Sequence, residues 1–286
     1  LLYSPFATVD PSPFVSHWKG WDDQPINPHE QQDAGEFVQM LLDRLNDTLE
    51  GKPVLNSVIG QFEERIQQIN GDYSNESLSV FTVLPLQVKN HTKFSDSFKT
   101  FLEPDNLTGN DKYSVENLGM IDAERFHTIY KAPETLIILL KRFEFDLETL
   151  SSRKVNSYFE FTSNLDLRPI ISEDSSKEEK EKVSDYELTG IVMHSGCAVG
   201  GHYYSYIMND GKWNCFNDSS VYPLEGNFME RCFGGRQVIT IYDQNRKKNI
   251  TEQIERTESA YLLFYKQKSR MKNEAIEPIT LMPKQP

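Results

Sequence analysis

The alternation of apolar and polar positions predicts one long helix, near the start of the chain. In residues 26–51, "INPHEQQDAGEFVQMLLDRLNDTLEG", the large apolar side chains fall on one face of a helix. These side chains are Phe37, Leu41, Leu42, Leu45 and Leu49. Asn27 and Glu30 can form a capping box at the start of this helix, with Pro28 in its first turn. Gly51 suits its end.

Beyond about residue 58 the pattern is typical of strands. The most apolar run, "LIILL" at 136–140, is what a strand buried on both faces shows. One short helix followed by turns is predicted at 94–114. The predicted strands are 78–88, 135–146, 186–196 and 260–267, with a hairpin at 202–222. A helix followed by many strands favours an α+β fold with an antiparallel sheet.

Two stretches lack this periodicity. Residues 172–184, "SEDSSKEEKEKVS", are charged and of low complexity, and we predict a mobile loop there. The tail from about residue 269 is polar and contains proline, so we expect it to be loose. The sequence opens "LLYSPFATVD" without a methionine, and we therefore expect it to begin inside a longer protein.

Composition narrows the class of protein and of partner. A chain of 286 residues with 38% hydrophobic content can bury a sizeable core, in one large domain or in two lobes. The formal net charge of −13 argues against a nucleic-acid partner, because binding phosphates needs a basic surface. A basic protein surface is a more natural partner.

The cysteines and the apolar runs exclude further classes. Cys197, Cys215 and Cys232 form neither a disulfide framework nor a CxxC pair, so they predict no zinc site. The longest clean apolar run is too short for a membrane span, and no signal peptide opens the chain. We expect no membrane partner and a cytoplasmic or nuclear location.

The segment "HYYSYIMNDGKWNCFND" predicts a hairpin between two aromatic-rich strands. If Asn209-Asp210 is a two-residue loop, His202 faces Asn217. A three-residue loop places His202 opposite Asp218, and an Asp210-Gly211 loop shifts the match by two residues. In the first two registers the histidine has a hydrogen-bonding partner directly across the strand.

Such a pair has a chemical use. A side-chain oxygen that accepts from one ring N–H fixes the tautomer of His202 and directs the other nitrogen at a nucleophile. Gly200 and Gly201 permit a close backbone approach, as a narrow slot for an extended substrate without side chains requires. The alternative interpretation is that His202 is a polar strand residue with a structural partner.

Several ordered segments resemble the ubiquitin-specific proteases, papain-like cysteine proteases that remove ubiquitin. The segments "HSGCAVGGHYYSYI" and "KWNCFNDSSV" resemble the histidine box of that family, and "EQQDAGEFVQMLLDRL" resembles its glutamine-aspartate helix. Four more segments match in the family's order, and the resemblance runs from about residue 1 to 267. They are "LIILLKRFEFD", "KVNSYFEFTSNLDLRPI", "YELTGIVMHSG" and "SAYLLFYKQ".

The resemblance implies an architecture and a domain division. It implies a papain-like α+β fold with a helical thumb remnant, an antiparallel-sheet palm and a β finger subdomain. Residues 1–57 would belong to the thumb, residues 58–268 to the finger and palm, and residues 269–286 to a polar tail.

The resemblance also implies catalytic roles. His202 resembles the general base, Asn217 the third triad member, and Asp218 the neighbouring acidic residue that can share that role.

Substrate-binding roles are implied as well. Asp33 resembles the aspartate that binds the extended ubiquitin tail, although it also suits a helix start or a capping box with Glu36. Tyr203 resembles a wall of the glycine channel that Gly200 and Gly201 would form, and it equally suits an aromatic core.

Three features depart from the family pattern. Residues 1–30 contain no cysteine, so the N-terminal cysteine box that carries the nucleophile is absent from this chain. Residues 65–79 and 110–122, which correspond to the zinc-binding finger of many members, also lack cysteine, and we expect no metal and no cofactor. Gly35 stands where the helix motif more usually has histidine.

The sequence thus predicts a deubiquitinating thiol hydrolase that acts after the C-terminal glycine of ubiquitin. Its partners would be ubiquitin and ubiquitinated proteins. This chain would carry the base and the orienting residue without the nucleophile, because Cys197 lies in a loop with no helix N-terminus to lower its pKa. The alternative is a catalytically inactive ubiquitin-binding or scaffold module of the same fold.

Overall fold

The computed structural model describes residues 10–27, 30–48, 57–177, 180, 185–243 and 247–268. Its helices are α1 (Ser12–His17), α2 (Ala34–Thr48), α3 (Phe94–Leu102) and α4 (Met229–Cys232). Within these ranges no helix is both long and apolar enough to cross a bilayer. The predicted positions of Pro28, Leu49, Gly51 and the tail from residue 269 lie outside the described residues.

A large sheet, here called the palm sheet, forms the centre of the molecule. Its strands are β3 (Val83–Gln87), β8 (Thr135–Lys141), β11 (Asn164–Leu165), β12 (Tyr186–Cys197), β13 (Gly200–Asn209), β14 (Lys212–Asn217), β15 (Ser220–Pro223) and β18 (Glu258–Gln267). They lie in the order β15–β14–β13–β12–β18–β8–β3, with β11 beside the start of β12. Only the pair β3 and β8 is parallel. The predicted antiparallel α+β fold is therefore confirmed.

A second sheet, here called the finger sheet, forms no strand pair with the palm sheet among the described residues, although Phe81 and Ile129 pack into the main core. Its strands are β1 (Gly60–Gln68), β2 (Ser74–Phe81), β4 (Asp105–Leu107) and β7 (Ala123–Lys131), in the order β2–β1–β7–β4. The prediction of one strand over 78–88 is wrong, because the chain bends at Thr82 and leaves the finger sheet for the palm sheet.

Apolar contacts hold the tip of the finger together. A small hairpin there consists of β5 (Tyr113–Val115) and β6 (Gly119–Ile121). Ile66, Ile121 and Ala123 are buried beneath it, and the rings of Tyr73 and Tyr113 lie 6.3 Å apart. Burial of this apolar surface stabilises the tip. No group of three or more potential metal ligands occurs in the described residues, and the absence of zinc stays a prediction.

Arg142 explains why the strand predicted over 135–146 is two strands. After β8 the chain turns into β9 (Phe143–Asp146), which pairs with β10 (Ser151–Lys154) in a separate hairpin. The guanidinium of Arg142 is fully buried and donates to the carbonyl oxygens of Ala260, Val155, Ser157 and Phe233. Burial lowers its pKa to about 10. A second separate hairpin consists of β16 (Arg236–Asp243) and β17 (Lys248–Glu255).

Helices cover both faces of the palm sheet. On one face, Phe94 and Phe98 of α3 pack on the largest buried cluster, which includes Leu84, Leu140 and Tyr265. On the other face, Val38 and Leu42 of α2 pack against Val83, Ile137 and Leu262. The predicted apolar face of α2 is only partly right, because Leu45 is exposed while Met40 is buried.

The charged stretch at 172–184 begins with anchored residues. Ser172 and Ser175 are buried, and the Ser175 hydroxyl donates to the Tyr130 carbonyl oxygen at 2.6 Å. The mobile loop predicted there is therefore wrong at its start. Residues 178–179 and 181–184 lie outside the described residues.

Candidate active site

The hairpin that carries His202 turns at Asp210 and Gly211. Both residues have positive φ, +49° and +72°, as a type I′ turn requires. The register pairs Asn209 with Lys212 and ends at Ser205 opposite Phe216. The Asn209-Asp210 loop that would set His202 opposite Asn217 is therefore wrong, and so is the three-residue loop.

His202 nevertheless meets Asn217. By extension of the register, Asn217 stands opposite Tyr204, so it is a diagonal neighbour of His202, within reach of a side chain. The Asn217 Oδ1 atom lies 2.6 Å from His202 Nε2. Asp218 Oδ2 lies 3.7 Å from the same nitrogen, and its residue begins the next turn with φ of +51°.

The Asn217 contact determines which nitrogen of His202 carries the proton. Because Oδ1 can only accept, Nε2 donates, and the neutral ring keeps its lone pair on Nδ1. His202 is 46% exposed, so a reactant can approach the ring. The arrangement can therefore take up a proton at Nδ1 and release it again.

Asp33 caps α2. Its Oδ1 accepts from the backbone N–H groups of Gly35 and Glu36 at 2.7 and 2.9 Å. Its Oδ2 accepts from the Tyr261 hydroxyl at 2.5 Å. The predicted cap at Asn27 is wrong by six residues, because the cap that forms is Asp33. Asn27 and Glu30 instead hydrogen-bond each other ahead of the helix.

Tyr203 belongs to an aromatic layer beside Asp33. Its ring lies 4.7 Å from the His194 ring and 5.9 Å from the Tyr261 ring. Burial, and next the charge of Asp33, raise the pKa of Tyr203 to about 12. A cavity of about 430 Å³ opens here, and its lining includes Gln31, Asp33, Phe143, His194 and Tyr203. We call it the aspartate cavity.

The two glycines of the predicted slot differ from each other. A Cβ on Gly201 would lie 2.4 Å from His194 Nε2 and 2.4 Å from the Ser195 carbonyl oxygen. A Cβ on Gly200 would meet only Gln31 Oε1, at 3.8 Å. Position 201 must therefore be glycine, because a side chain there would collide with His194 and Ser195 of the neighbouring strand β12. Neither glycine has positive φ.

Gln31 and His194 were missed by the sequence reasoning. Gln31 Oε1 accepts from the Gly201 N–H at 2.6 Å, although 170 residues separate them. Gln31 lies within the motif that resembles the glutamine-aspartate helix, which is the one signal that could have found it. His194 opens the segment that resembles the histidine box, but its place in an apolar strand pattern marks no role for it.

His194 is buried and neutral. Only 1% of its surface is exposed, and Nδ1 has no hydrogen-bond partner among the described residues. Burial lowers its pKa to about 4, helped by the charge of Lys154. Lys154 Nζ donates to the carbonyl oxygens of His194 and Thr257, and burial, with Arg142, lowers its own pKa to about 8.

All three cysteines lie in the described residues, and none is hydrogen-bonded to His202 there. Cys197 ends β12, is exposed, and its thiol lies 3.4 Å from the Gly200 carbonyl oxygen. Cys215 and Cys232 are buried. Burial raises the pKa of Cys232 to about 12, which disfavours its thiolate.

Comparison with known proteins gives one consistent result. The family described as ubiquitin carboxyl-terminal hydrolase matches residues 2–265. "Probable ubiquitin carboxyl-terminal hydrolase FAF" of Drosophila melanogaster is 35% identical over 272 residues, which cover 85% of this chain and 10% of that protein. "Ubiquitin carboxyl-terminal hydrolase 9X" of Mus musculus is 31% identical, covering 89% of this chain and 11% of that protein.

A yeast relative agrees with these two. "Ubiquitin carboxyl-terminal hydrolase 15" of Saccharomyces cerevisiae is 31% identical over 86% of this chain and 21% of that protein. The chain thus spans about a tenth to a fifth of the length of these relatives. A family match across nearly all of its residues shows that the chain belongs to the ubiquitin carboxyl-terminal hydrolase family.

Proposed function

We propose that this chain is the base-carrying part of a thiol hydrolase that cleaves the bond after the C-terminal glycine of ubiquitin. The observation that carries the proposal is the 2.6 Å contact of His202 Nε2 with Asn217 Oδ1. It leaves Nδ1 as the proton acceptor, on a ring that reactants can reach. The family membership supplies the class of bond.

The reaction uses His202 as base and then as acid. Nδ1 takes the proton of a cysteine thiol, and the thiolate attacks the carbonyl carbon of the terminal glycine. The imidazolium then donates that proton to the leaving lysine amine, and a thioester forms. Nδ1 next takes a proton from water, whose oxygen attacks the thioester, and the carboxylate and the thiol are released. Asn217 holds the ring throughout without adding a charge.

The aspartate cavity would receive the tail of ubiquitin. Asp33 lines it with a carboxylate whose Oδ1 is filled by the Gly35 and Glu36 N–H groups and whose Oδ2, beside the Tyr261 hydroxyl, keeps one lone pair for a cationic or N–H donor. Tyr203 forms one wall of the cavity. Beside it the Gly201 N–H donates to Gln31, which also lines the cavity, so an extended segment would have to replace Gln31 to use that backbone group. Asp218, at 3.7 Å, would act as a second acceptor near Nε2.

The attacking thiol is none of the three in this sequence. Cys215 and Cys232 are buried, and Cys197 ends a strand with its thiol beside the Gly200 carbonyl oxygen.

A ubiquitin probe with a C-terminal electrophile tests both parts of this proposal. The chain should bind unmodified ubiquitin in calorimetry and form no covalent adduct with the probe, whereas the full-length protein should form one. Stoichiometric labelling of Cys197 in the chain would contradict the assignment of the thiol. Binding without any adduct in the full-length protein would favour a ubiquitin-binding module instead. Absence of ubiquitin binding would overturn the whole proposal.

A further inference from the structure

A second cavity lies near His202, on the face of the palm sheet opposite to the aspartate cavity. Its volume is about 330 Å³, and it is lined by Ser195, Arg231, Gln237, Arg256, Thr257 and Glu258. His194 and Ser195 are consecutive on β12, so their side chains point to opposite faces. His194 lines the aspartate cavity, and Ser195 lines this one. We call it the arginine cavity.

The arginine cavity is on the same side as the catalytic ring. Ser195 is the cross-strand partner of His202, and Glu258 is the partner of Ser195 on the next strand. The Tyr204 hydroxyl donates to Glu258 Oε1, and the Tyr204 ring lies 6.1 Å from the His202 ring at 22°. Two strand spacings, about 10 Å, therefore separate His202 from Glu258 in the lining of the cavity.

Two guanidinium groups give this cavity a local positive charge. Arg231 lies on α4, and Arg256 is held in place because Nη1 donates to the Glu230 carbonyl oxygen at 3.0 Å. The Nε atom of Arg256 is buried without a hydrogen-bond partner among the described residues. One lining carboxylate, Glu258, is already occupied by Tyr204. The two arginines and one glutamate of the lining therefore form a locally basic site on a chain whose net charge is −13.

The position of the cavity fits the leaving group. If the ubiquitin tail enters through the aspartate cavity, the released lysine amine emerges at His202 on the opposite face, where Ser195 and the arginines lie. The lysine side chain carries the target backbone away from His202, and an extended peptide advances about 3.3 Å per residue, so residues within two or three positions of that lysine can reach the cavity lining beyond Ser195.

We propose that the arginine cavity is a leaving-group subsite that binds acidic residues flanking the ubiquitinated lysine of the target protein. Guanidinium groups bind carboxylates through paired hydrogen bonds. The negative charge of the chain as a whole disfavours acidic segments, so an arginine pair at this point decides whether they dock. The inference rests on the ubiquitin-hydrolase function proposed above.

The test uses two non-hydrolysable conjugates of ubiquitin with a lysine peptide. In one, glutamates occupy the positions two and three residues either side of the lysine, and in the other these are glutamines. The chain should bind the glutamate conjugate roughly three- to tenfold more tightly at low salt, and the ratio should shrink as salt rises. Arg231→Gln and Arg256→Gln should each lower the ratio, and together bring it close to one, with the affinity for the glutamine conjugate unchanged.

Two control variants separate charge from folding. Arg256→Lys should keep most of the preference, because it keeps the charge. Arg236→Gln, on β16 and outside the lining, should keep all of it. Equal affinity of the wild-type chain for both conjugates, or a preference that survives the double variant, overturns the subsite while ubiquitin binding stands. If ubiquitin itself fails to bind, the proposed function falls and the subsite falls with it.

Discussion

Two histidines on neighbouring strands have opposite environments. His202 is 46% exposed and shares a 2.6 Å hydrogen bond with Asn217. His194 is 1% exposed, lacks a partner at Nδ1 among the described residues, and has a pKa lowered to about 4. An imidazole side chain can therefore exchange protons on one face of the sheet, as in His202, and stay neutral in the lining of a cavity on the other face, as in His194. Exposure and a directed acceptor distinguish the two.

The largest effect should come from the partner of the exposed histidine. In the full-length protein, Asn217→Ala should lower kcat by about 10²–10⁴ with a smaller change in KM, because ring orientation matters mainly in the transition state. Asp218→Ala should be milder, since its oxygen lies 3.7 Å rather than 2.6 Å from Nε2. Steady-state kinetics on a ubiquitin conjugate measure both. Full turnover of Asn217→Ala with an inactive Asp218→Ala would assign the orienting role to Asp218.

The second largest effect should be on stability, at the close contact between Gly201 of β13 and His194 of β12. Gly201→Ala should destabilise the chain by about 1–3 kcal/mol, because its Cβ would lie 2.4 Å from His194 Nε2 and from the Ser195 carbonyl oxygen. Gly200→Ala is the matched control and should stay within about 0.5 kcal/mol. Urea denaturation gives both values. Equal stability of the two variants would mean that His194 moves aside at little cost.

The buried histidine should make the chain sensitive to acid. Its pKa is about 4 in the folded state and near 6.5 when unfolded, so the unfolded chain binds more protons between these values. Its contribution to stability is present above pH 6.5 and is lost as pH falls toward 4. Lowering the pH from 7 to 5 should remove roughly 1–2 kcal/mol through this group.

Variants isolate that contribution. His194→Gln should lose this part of the pH dependence of unfolding, and His202→Gln should retain it. Denaturant midpoints at pH 7 and pH 5 measure the difference. An unchanged pH dependence in His194→Gln would place the acid sensitivity elsewhere.

The smallest effect concerns Lys154, whose charge disfavours the imidazolium of His194. Lys154→Met should raise the pKa of His194, and Lys89→Met, which removes a lysine paired with Glu144, should leave it alone. Titration of the ring protons by NMR follows both. A pKa that does not rise in Lys154→Met would contradict the role of the Lys154 charge.

Local sequence patterns predicted much of the palm. Apolar patterns within single short segments predict three of its elements. These are the strands at 186–196 and 260–267 and the helix at 94–102. The hairpin was predicted, but its loop was misassigned, because Asn209-Asp210 and Asp210-Gly211 both suit a tight turn. The glycine accepts positive φ at the second position without strain, and this sets the register.

Long-range contacts limited the prediction elsewhere. Asp33 caps α2 through the local N–H groups of Gly35 and Glu36, as the alternative helix start at Asp33 would require, and Tyr261, 228 residues away, donates to its other oxygen. Arg142 interrupts an apolar run because carbonyl oxygens from distant segments surround its guanidinium. The local pattern of residues 33–36 already offered the Asp33 cap, whereas no periodicity in residues 135–146 contains the contacts of Arg142.

The sequence by itself determined the hairpin and the meeting of His202 with an acceptor, because both depend on residues close together in the chain, and it determined the family, because ordered segments over most of the chain match it. Only the tertiary structure decided that Asn217 is reached diagonally, that Gly201 is crowded by His194, and that Arg231 and Arg256 share a cavity with Ser195. Those contacts join strands and loops distant in sequence, and their burial and distances exist only once the sheet has formed.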